Sequence, residues 1–143
     1  MKKKRLEIDY EVDFRLIGLC TPIKPHKLAW ELNQRLNIRL CRMSDYELPT
    51  SGESILRYIY FLHTTGVSTI RMFRNRPLDS GAPEAAKWLL VPEHPQFDYI
   101  IMTSSRESDQ APAVLEAAKN IPTMALSAFL PLASLKSTGN FIF

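Results

Sequence analysis

The stretch ILRYIYFL, from Ile55 to Leu62, carries the clearest strand signal in the chain. Aromatic and β-branched side chains dominate it, and these favour extended backbone. The residues that follow, His63 to Gly66, are typical of a short turn, and Val67 to Asn75 is again rich in strand-forming residues. The sequence therefore predicts an antiparallel hairpin made of these two runs.

A second hairpin is predicted downstream, after a turn region from Pro77 to Pro83. Its strands are Lys87 to Val91 and Phe97 to Thr103, and the loop between them, residues 92–96, contains two prolines. Alternating apolar residues between Ile55 and Thr103 would then build one continuous β-layer.

The residues before this layer predict a strand, a helix and another strand. Phe14 to Cys20 is a buried apolar run, and the prolines after it end the strand and open a helix at Pro25. Asn37 is a residue type that ends helices, Ile38 to Met43 is a predicted strand, and Ser44 to Ser54 is a predicted loop. The helix presents one apolar face, which consists of Leu28, Ala29, Leu32 and Leu36.

The last third of the chain predicts a crossover. Pro112 can start a short helix that ends near Asn120. Thr123 to Leu130 alternates between apolar and small side chains, which favours a strand, although its alanine, leucine and methionine residues also suit a helix. Together with the strand before the helix, this pattern predicts a strand, helix, strand unit.

These elements predict an α+β fold, in which a mainly antiparallel sheet of six or seven strands packs against two helices. The 143 residues, without a visible repeat or linker, predict a single domain over 1–143, with a charged segment at 1–12. Hydrophobic residues make up 45% and charged residues 23%, which excludes collagen-like and broadly disordered classes.

Composition also constrains location and ligands. No apolar run reaches the roughly 20 residues that cross a bilayer, and the basic start is unlike a signal peptide, so we expect a cytoplasmic protein without a membrane anchor. Cys20 and Cys41 are expected to be buried, reduced thiols. Three scattered histidines give no metal-ligand spacing, and the sequence predicts neither a metal site nor a cofactor.

The segment Val91-Pro92-Glu93-His94-Pro95-Gln96-Phe97-Asp98-Tyr99 resembles the signature of a bacterial family named for its motif, IPExxxVDY. Val91 replaces the isoleucine of that motif and Phe97 replaces its valine, and both exchanges keep an apolar side chain. The stretches 14–19, 28–33, 135–137 and 140–143 also resemble the family. The resemblance implies no activity, cofactor or catalytic residue.

The signature segment has a structural and a chemical interpretation. As the second hairpin, it places Phe97, Tyr99 and Ile101 toward the core and turns Asp98 away. The alternative is an acid and base cluster of Glu93, His94 and Asp98, because a histidine beside carboxylates can move protons near neutral pH. The structural interpretation gives Glu93 a role in hydrogen bonds within the loop, and we identify no catalytic residue from the sequence.

Ser104-Ser105-Arg106 follows a strand and precedes a helix, a position where backbone N–H groups and one arginine can hold a phosphate. No glycine-rich run accompanies it. Turn formation and helix capping by Ser104, Ser105, Ser108 and Asp109 explain the same residues, so turn chemistry is the favoured interpretation.

Arg71, Arg74 and Arg76 lie on the first hairpin together with aromatic residues, a combination that single-stranded RNA requires for backbone attraction and base stacking. The strand period opposes this interpretation, because Tyr58 and Tyr60 share a face with apolar residues and should pack inside. RNA binding is therefore the alternative function.

Trp30 lies nearly opposite the apolar stripe of the first helix and groups with His26 and Asn33. An exposed tryptophan concentrates binding energy in a small area, which suits contact with another protein, although Trp30 could also pack against a neighbouring loop. The sequence thus favours a non-catalytic binding or regulatory domain that acts through protein contact, with a partner or with itself as a homodimer. An enzyme that uses Glu93, His94 and Asp98 is the third hypothesis.

Overall fold

An antiparallel sheet of six strands forms the centre of the computed structural model, which describes residues 14–49, 55–78 and 88–141. The predicted α+β class is confirmed, with two helices, this sheet and a separate two-stranded sheet. The elements in chain order are β1 (Phe14–Cys20), α1 (Pro25–Leu36), β2 (Cys41–Arg42), β3 (Tyr46–Pro49), β4 (Ile55–Tyr58), β5 (Tyr60–Thr64), β6 (Ser68–Arg74), β7 (Tyr99–Ser105), α2 (Ala111–Lys119) and β8 (Leu126–Leu130), followed by two 3-10 turns, Leu132–Ser134 and Ser137–Phe141.

The strand order of the main sheet is β2-β5-β6-β7-β1-β8, and every neighbouring pair is antiparallel. Strand β1 lies between β7 and β8, so these two strands run parallel to each other and α2 connects them across one face. This is the strand, helix, strand unit that the sequence predicts. β8 is a strand over Leu126–Leu130, so the strand interpretation of Thr123 to Leu130 is the correct one.

Helix α1 has the bounds that its sequence predicts. It begins with proline at its first position, where the missing N–H costs no hydrogen bond, and it ends where Asn37 adopts a left-handed conformation with φ of 56°. Leu28, Ala29 and Leu32 are buried against the sheet. In the part of the chain that the structure describes, no helix combines the length and hydrophobicity needed to cross a membrane.

Both faces of the main sheet are covered, and we name them by what covers them. The helical face carries Ile17, Leu19, Met72 and Ile101 under α1 and α2. The loop face carries the cluster formed by Phe14, Leu16, Tyr58, Phe73, Leu90, Val91, Phe97, Ile100, Met102, Leu130, Leu135 and Phe141. The prediction that Phe97, Tyr99 and Ile101 share one core side is wrong, because Phe97 belongs to the loop face while Tyr99 and Ile101 belong to the helical face.

The stretch Ile55 to Leu62 is two strands, and the prediction of one continuous strand is wrong. β4 pairs with β3 in the small sheet, whereas β5 pairs with β6 in the main sheet, and Ile59 separates them. The ladder between β5 and β6 reaches Tyr60 and Phe73, and one more hydrogen bond follows it, from the Arg74 N–H to the Ile59 carbonyl at 3.0 Å. The upstream residues then find their backbone partners in Tyr46–Pro49, so the predicted loop from Ser44 contains a strand.

Two other strand predictions need correction. Of the strand predicted from Ile38 to Met43, only Cys41–Arg42 pairs, because this segment contacts β5 at an exposed sheet edge. The hairpin predicted from Lys87 to Thr103 does not form: residues 88–98 are turns and bends, and β7 pairs instead with β1 and β6. The apolar side chains of Leu89, Leu90 and Val91 are buried by covering the sheet, not by joining it.

The cysteines also differ from their prediction as two buried thiols. Both are free, Cys20 is half-buried and Cys41 is exposed, because Cys41 belongs to the short edge strand β2. Desolvation, followed by the nearby Asp98 carboxylate, raises the pKa of the Cys20 thiol. The charged segment 1–12 and most of the turn region Pro77 to Pro83 lie outside the described residues.

Candidate functional site

The signature segment is held against the loop face by one buried asparagine. Asn75 is 1% exposed, and its side-chain amide donates to the Phe97 carbonyl at 2.9 Å while its side-chain oxygen accepts the Val91 N–H at 2.8 Å. Its backbone accepts the N–H of Leu90 and donates to the carbonyl of Asp98, both at 2.9 Å. Four hydrogen bonds from one residue thus replace the sheet ladder that this segment lacks.

Glu93 fastens the signature segment to the C-terminal turns. Its carboxylate accepts the backbone N–H groups of Lys136 at 2.5 Å and Ser137 at 3.0 Å, and the Ser137 hydroxyl at 2.8 Å. Partial burial alone would raise the pKa of Glu93, but these hydrogen bonds outweigh it and lower the pKa below the ordinary value of 4.5. Glu93 therefore remains a charged acceptor that connects two loops.

The candidate acid and base residues have separate partners. The Asp98 carboxylate accepts the Thr21 N–H at 2.9 Å, at the end of β1, whereas Glu93 holds the C-terminal turns. The His94 ring lies 6.1 Å from the Phe97 ring, centre to centre. Both carboxylates therefore act as acceptors for backbone groups, although these partners of Glu93 lie in the C-terminal turns and not within its own loop, where the structural interpretation expected them.

Phe97 of the signature segment packs against Gly18 of β1, next to the hydrogen bond from the Asp98 N–H to the Leu19 carbonyl at 2.8 Å. A Cβ atom on Gly18 would lie 2.6 Å from the Phe97 ring, closer than carbon atoms pack. Only glycine at position 18 lets this aromatic ring lie flat on the strand. Three of the segments that resemble the IPExxxVDY family are therefore in contact: Gly18 of 14–19 meets Phe97 of the signature, and Ser137 of 135–137 donates to Glu93 of the signature.

The structure distributes the arginines of the predicted RNA surface over different surroundings. Arg71 shares the loop face with Phe73 and donates from Nε to the Tyr60 hydroxyl at 3.0 Å. Arg74 lies on the opposite face of β6, with its guanidinium carbon 5.9 Å from the Tyr99 ring centre, and Arg76 is exposed beyond the strand. Tyr58 is buried and donates its hydroxyl to the Trp88 carbonyl, and burial raises its pKa to about 12.

Trp30 lies on the outer face of α1 with 52% of its surface exposed. The Lys27 ammonium is 4.5 Å from the indole centre, one turn away, and Lys27 also lies 3.8 Å from the Glu31 carboxylate. Glu31 in turn pairs with Arg35 at 3.3 Å. This row of i, i+3 and i, i+4 contacts supports the indole from one side and leaves it open to solvent on the other.

The other two candidates for protein contact differ from each other. His26 is exposed on the first turn of α1. Asn33 has an internal role: its side-chain oxygen accepts the Leu40 N–H at 2.8 Å and its amide donates to the Leu40 carbonyl at 3.3 Å. The outer face of α1 therefore consists of Trp30, His26, Lys27 and Gln34, with Asn33 fixing the segment that follows the helix.

An open depression of about 560 Å³ lies where β5 and β7 end and β6 begins, and we call it the polar depression. It is lined by residues 65–69 and 104–106. Arg106 closes one side, because its backbone N–H donates to Val67 at 2.9 Å and its guanidinium donates to the Gly66 carbonyl at 2.7 Å. The sequence indicates Ser104-Ser105-Arg106 as a position that could hold a phosphate, but the only local signal for the opposing residues 65–69 is their Ser and Thr content.

The role of Asn75 in holding the signature segment is also not predicted from the sequence. The available signal is a polar amide directly after an apolar strand, which is also typical of an ordinary turn. Across residues 14–49, 55–78 and 88–141, no three histidine, cysteine or acidic side chains converge in a way that could hold a metal ion. Comparison of the chain with protein-family models, with curated proteins and with solved structures finds no match.

Proposed function

We propose that the chain is a non-catalytic, cytoplasmic protein-binding domain that contacts its partner through the outer face of α1. The observation that carries this proposal is Trp30, a large aromatic side chain that is half exposed in the middle of a helix whose other face is buried at Leu28, Ala29 and Leu32. Tryptophan is strongly enriched among the residues that dominate binding energy in protein interfaces.

The packing of α1 supports this proposal because it makes the surface rigid before binding. Leu28 and Leu32 are at most 1% exposed, so the helix is fixed to the sheet, and Asn33 fixes the chain that leaves it. The Lys27 ammonium next to the indole reduces the freedom of the ring. A preorganised surface loses less conformational entropy on association, and therefore binds more tightly for the same area.

The charges around Trp30 define the kind of partner. Residues 24–36 contain three cationic side chains, Lys24, Lys27 and Arg35, and one carboxylate, Glu31. We infer a partner with an apolar pocket for the indole and acidic residues around it, since complementary charge favours association. A symmetric homodimer through this face would bring cations together, so a second copy of the chain is the less favourable occupant.

We also propose that the chain belongs to the IPExxxVDY family. The proposal is supported by the contacts among the resembling segments, because residues scattered over the sequence meet at the signature segment. This assignment adds no activity, so it is compatible with a binding domain.

The test uses the tagged wild-type chain and its tagged Trp30→Ala and Ile55→Ala variants. It compares the proteins that each of them captures from the source cells. Ile55 is 48% exposed and lies in the small sheet, so its variant is a matched control for loss of exposed apolar surface. We expect a protein that co-purifies in stoichiometric amount with wild type and Ile55→Ala, resists nuclease, and is lost with Trp30→Ala. The purified partner should then bind the chain directly, with affinity that falls as salt is raised.

Three results would contradict the proposal. Equal capture by wild type and Trp30→Ala would show that this face is not the contact. Loss of all capture after nuclease treatment would favour the alternative of RNA binding. If the wild-type chain is a dimer and Trp30→Ala makes it monomeric, the occupant of this face is a second copy of the chain and not an acidic partner.

A further inference from the structure

The polar depression is lined by hydroxyl groups from β6, from β7 and from the turn between β5 and β6. Strand register places Thr69 opposite Ser104 on one face of the sheet and Ser68 opposite Ser105 on the other. Thr65, in the turn between β5 and β6, adds another hydroxyl, 3.1 Å from that of Ser68. Hydroxyl groups can donate and accept, so this end of the sheet can form hydrogen bonds with a polar ligand in several orientations.

Arg106 supplies the positive charge of the depression. Its side chain is oriented by the hydrogen bond from Nη2 to Gly66, which leaves other N–H donors of the guanidinium for a ligand. Arg15, Arg35, Arg42 and Arg57 each form an ion pair with a carboxylate, whereas no described carboxylate pairs with Arg106. The charge of Arg106 is thus not neutralised by a described ion pair.

The neighbouring backbone leaves room for a ligand. A Cβ atom on Gly66 would meet nothing within 4 Å, so the turn is open on that side. The start of α2 does not supply the binding groups. The N–H of Ala111 at this helix end is already bound by the Asp109 side chain, which is itself paired with Arg15 at 2.7 Å. The ligand would therefore be held by the strand ends and Arg106.

We propose that the polar depression binds a small phosphate ester that carries hydroxyl groups, such as a sugar phosphate. The guanidinium of Arg106 would bind the phosphate, with the hydroxyls of Thr69 and Ser104 as further donors, because arginine matches phosphate in charge and geometry. The volume of about 560 Å³ exceeds that of a phosphate ion and falls in the range of small-molecule sites. The hydroxyl-rich lining matches a hydroxylated body better than an aromatic base.

This site is independent of the proposed protein contact, since it involves neither Trp30 nor α1. It adds a small-molecule ligand to the domain. The two proposals can therefore fail separately, and each has its own variants.

The test follows the backbone amide resonances of the full chain while ribose phosphate, inorganic phosphate or ribose is added. We expect ribose phosphate to shift the resonances of residues 65–69 and 104–106 with saturation, and inorganic phosphate to shift them more weakly. Ribose alone should leave them unchanged, because the charge of the phosphate anchors the ligand. Absence of saturable shifts with ribose phosphate, or equal shifts with ribose, would overturn the proposal.

Variants identify the groups responsible. Arg106→Gln should weaken binding of ribose phosphate by roughly tenfold to a hundredfold, the loss expected for a hydrogen bond to a charged group. Because this variant also loses the bond to Gly66, Ser104→Ala is the second variant, and it should weaken binding severalfold without a change in the fold. Arg76→Gln removes an exposed arginine outside the depression and should bind as wild type does. Unchanged affinity in both Arg106→Gln and Ser104→Ala would contradict the site.

Glu107 offers a test of opposite sign. It lies next to Arg106, is exposed, and repels an anion in the depression. Glu107→Gln should strengthen binding of ribose phosphate, and more so at low salt. Weaker binding by this variant would argue against an anionic ligand.

Discussion

The two faces of the main sheet are buried to a similar degree but in different ways. Two helices cover most of the helical face, and a helix satisfies its own backbone groups, so this side relies mainly on apolar side chains such as Leu28 and Val114. Tyr99 and Asn33 add polar contacts to the chain beside α1. Irregular chain covers the loop face, and its backbone groups need partners from elsewhere. Asn75, Tyr58 and Glu93 supply those partners. The contrast teaches that a face covered by loops depends on individual polar side chains.

The strongest test of this contrast compares two asparagines that each hold a backbone segment. Asn75→Leu leaves the buried carbonyl of Phe97 and N–H of Val91 without partners, and should lower the free energy of unfolding by about 4 kcal/mol. Asn33→Leu removes hydrogen bonds that are only part-buried, so water can reach the freed groups more easily, and it should cost about 1 kcal/mol. Denaturant titration measures both. Equal losses would remove the distinction between the two faces.

The second test concerns the contact of Gly18 with Phe97 on the loop face. Gly18→Ala forces a methyl group into the aromatic ring and should cost about 2 kcal/mol, as overpacking does. Gly66→Ala is the control, because its Cβ would meet nothing, and stability should stay within about 0.5 kcal/mol. The double variant Gly18→Ala, Phe97→Val should recover part of the loss, since the smaller valine side chain removes the ring that the new methyl group would meet. If the double variant recovers no stability, the loss caused by Gly18→Ala does not come from the contact with Phe97.

The third test uses pH to examine the connection made by Glu93. Because the pKa of Glu93 is lowered in the folded chain, its carboxylate stabilises the fold above its ordinary pKa of 4.5, and this contribution is lost as pH falls through the folded pKa. Glu93→Gln should cost about 1 kcal/mol at neutral pH, a value discounted for the exposure of the group. Thermal unfolding at several pH values should show the difference from wild type shrinking below pH 4.5. A constant difference would mean that charge is not involved.

The smallest expected effect is on the outer side of the helical layer. Trp30→Ala should change stability by less than about 0.5 kcal/mol, because the indole is half exposed and has no role in the core. Leu32→Ala on the inner side of the same helix should cost about 3 kcal/mol through the cavity it leaves. A large loss for Trp30→Ala would mean that this residue is structural, and would weaken the proposed interface.

Much of the helical face was accessible to prediction from the sequence. The apolar spacing of Leu28, Ala29 and Leu32, the proline at the start of α1 and the asparagine at its end are local signals, and the structure confirms them. The alternation in β6 and the crossover through α2 are also local patterns. Prediction worked where each element shows its own period in its own residues.

Prediction failed on the loop face because the structure of that face depends on pairing between segments that are distant in the sequence. Val91 and its neighbours look like strand residues, and nothing near them in the sequence shows that β1 occupies the position beside β7. In the same way, Ile55 to Tyr58 carries a strand signal without indicating which partner it pairs with. The polar depression joins residues 65–69 to 104–106, and only strand register brings them together.

The sequence by itself determined the α+β class and the two helices, because helical period and proline or asparagine at helix ends act within a few residues. Only the tertiary structure decided which strands pair, which segments cover the second face and which hydroxyl groups surround Arg106. Those outcomes depend on the satisfaction of buried backbone groups between distant segments, and a one-dimensional pattern does not contain that information.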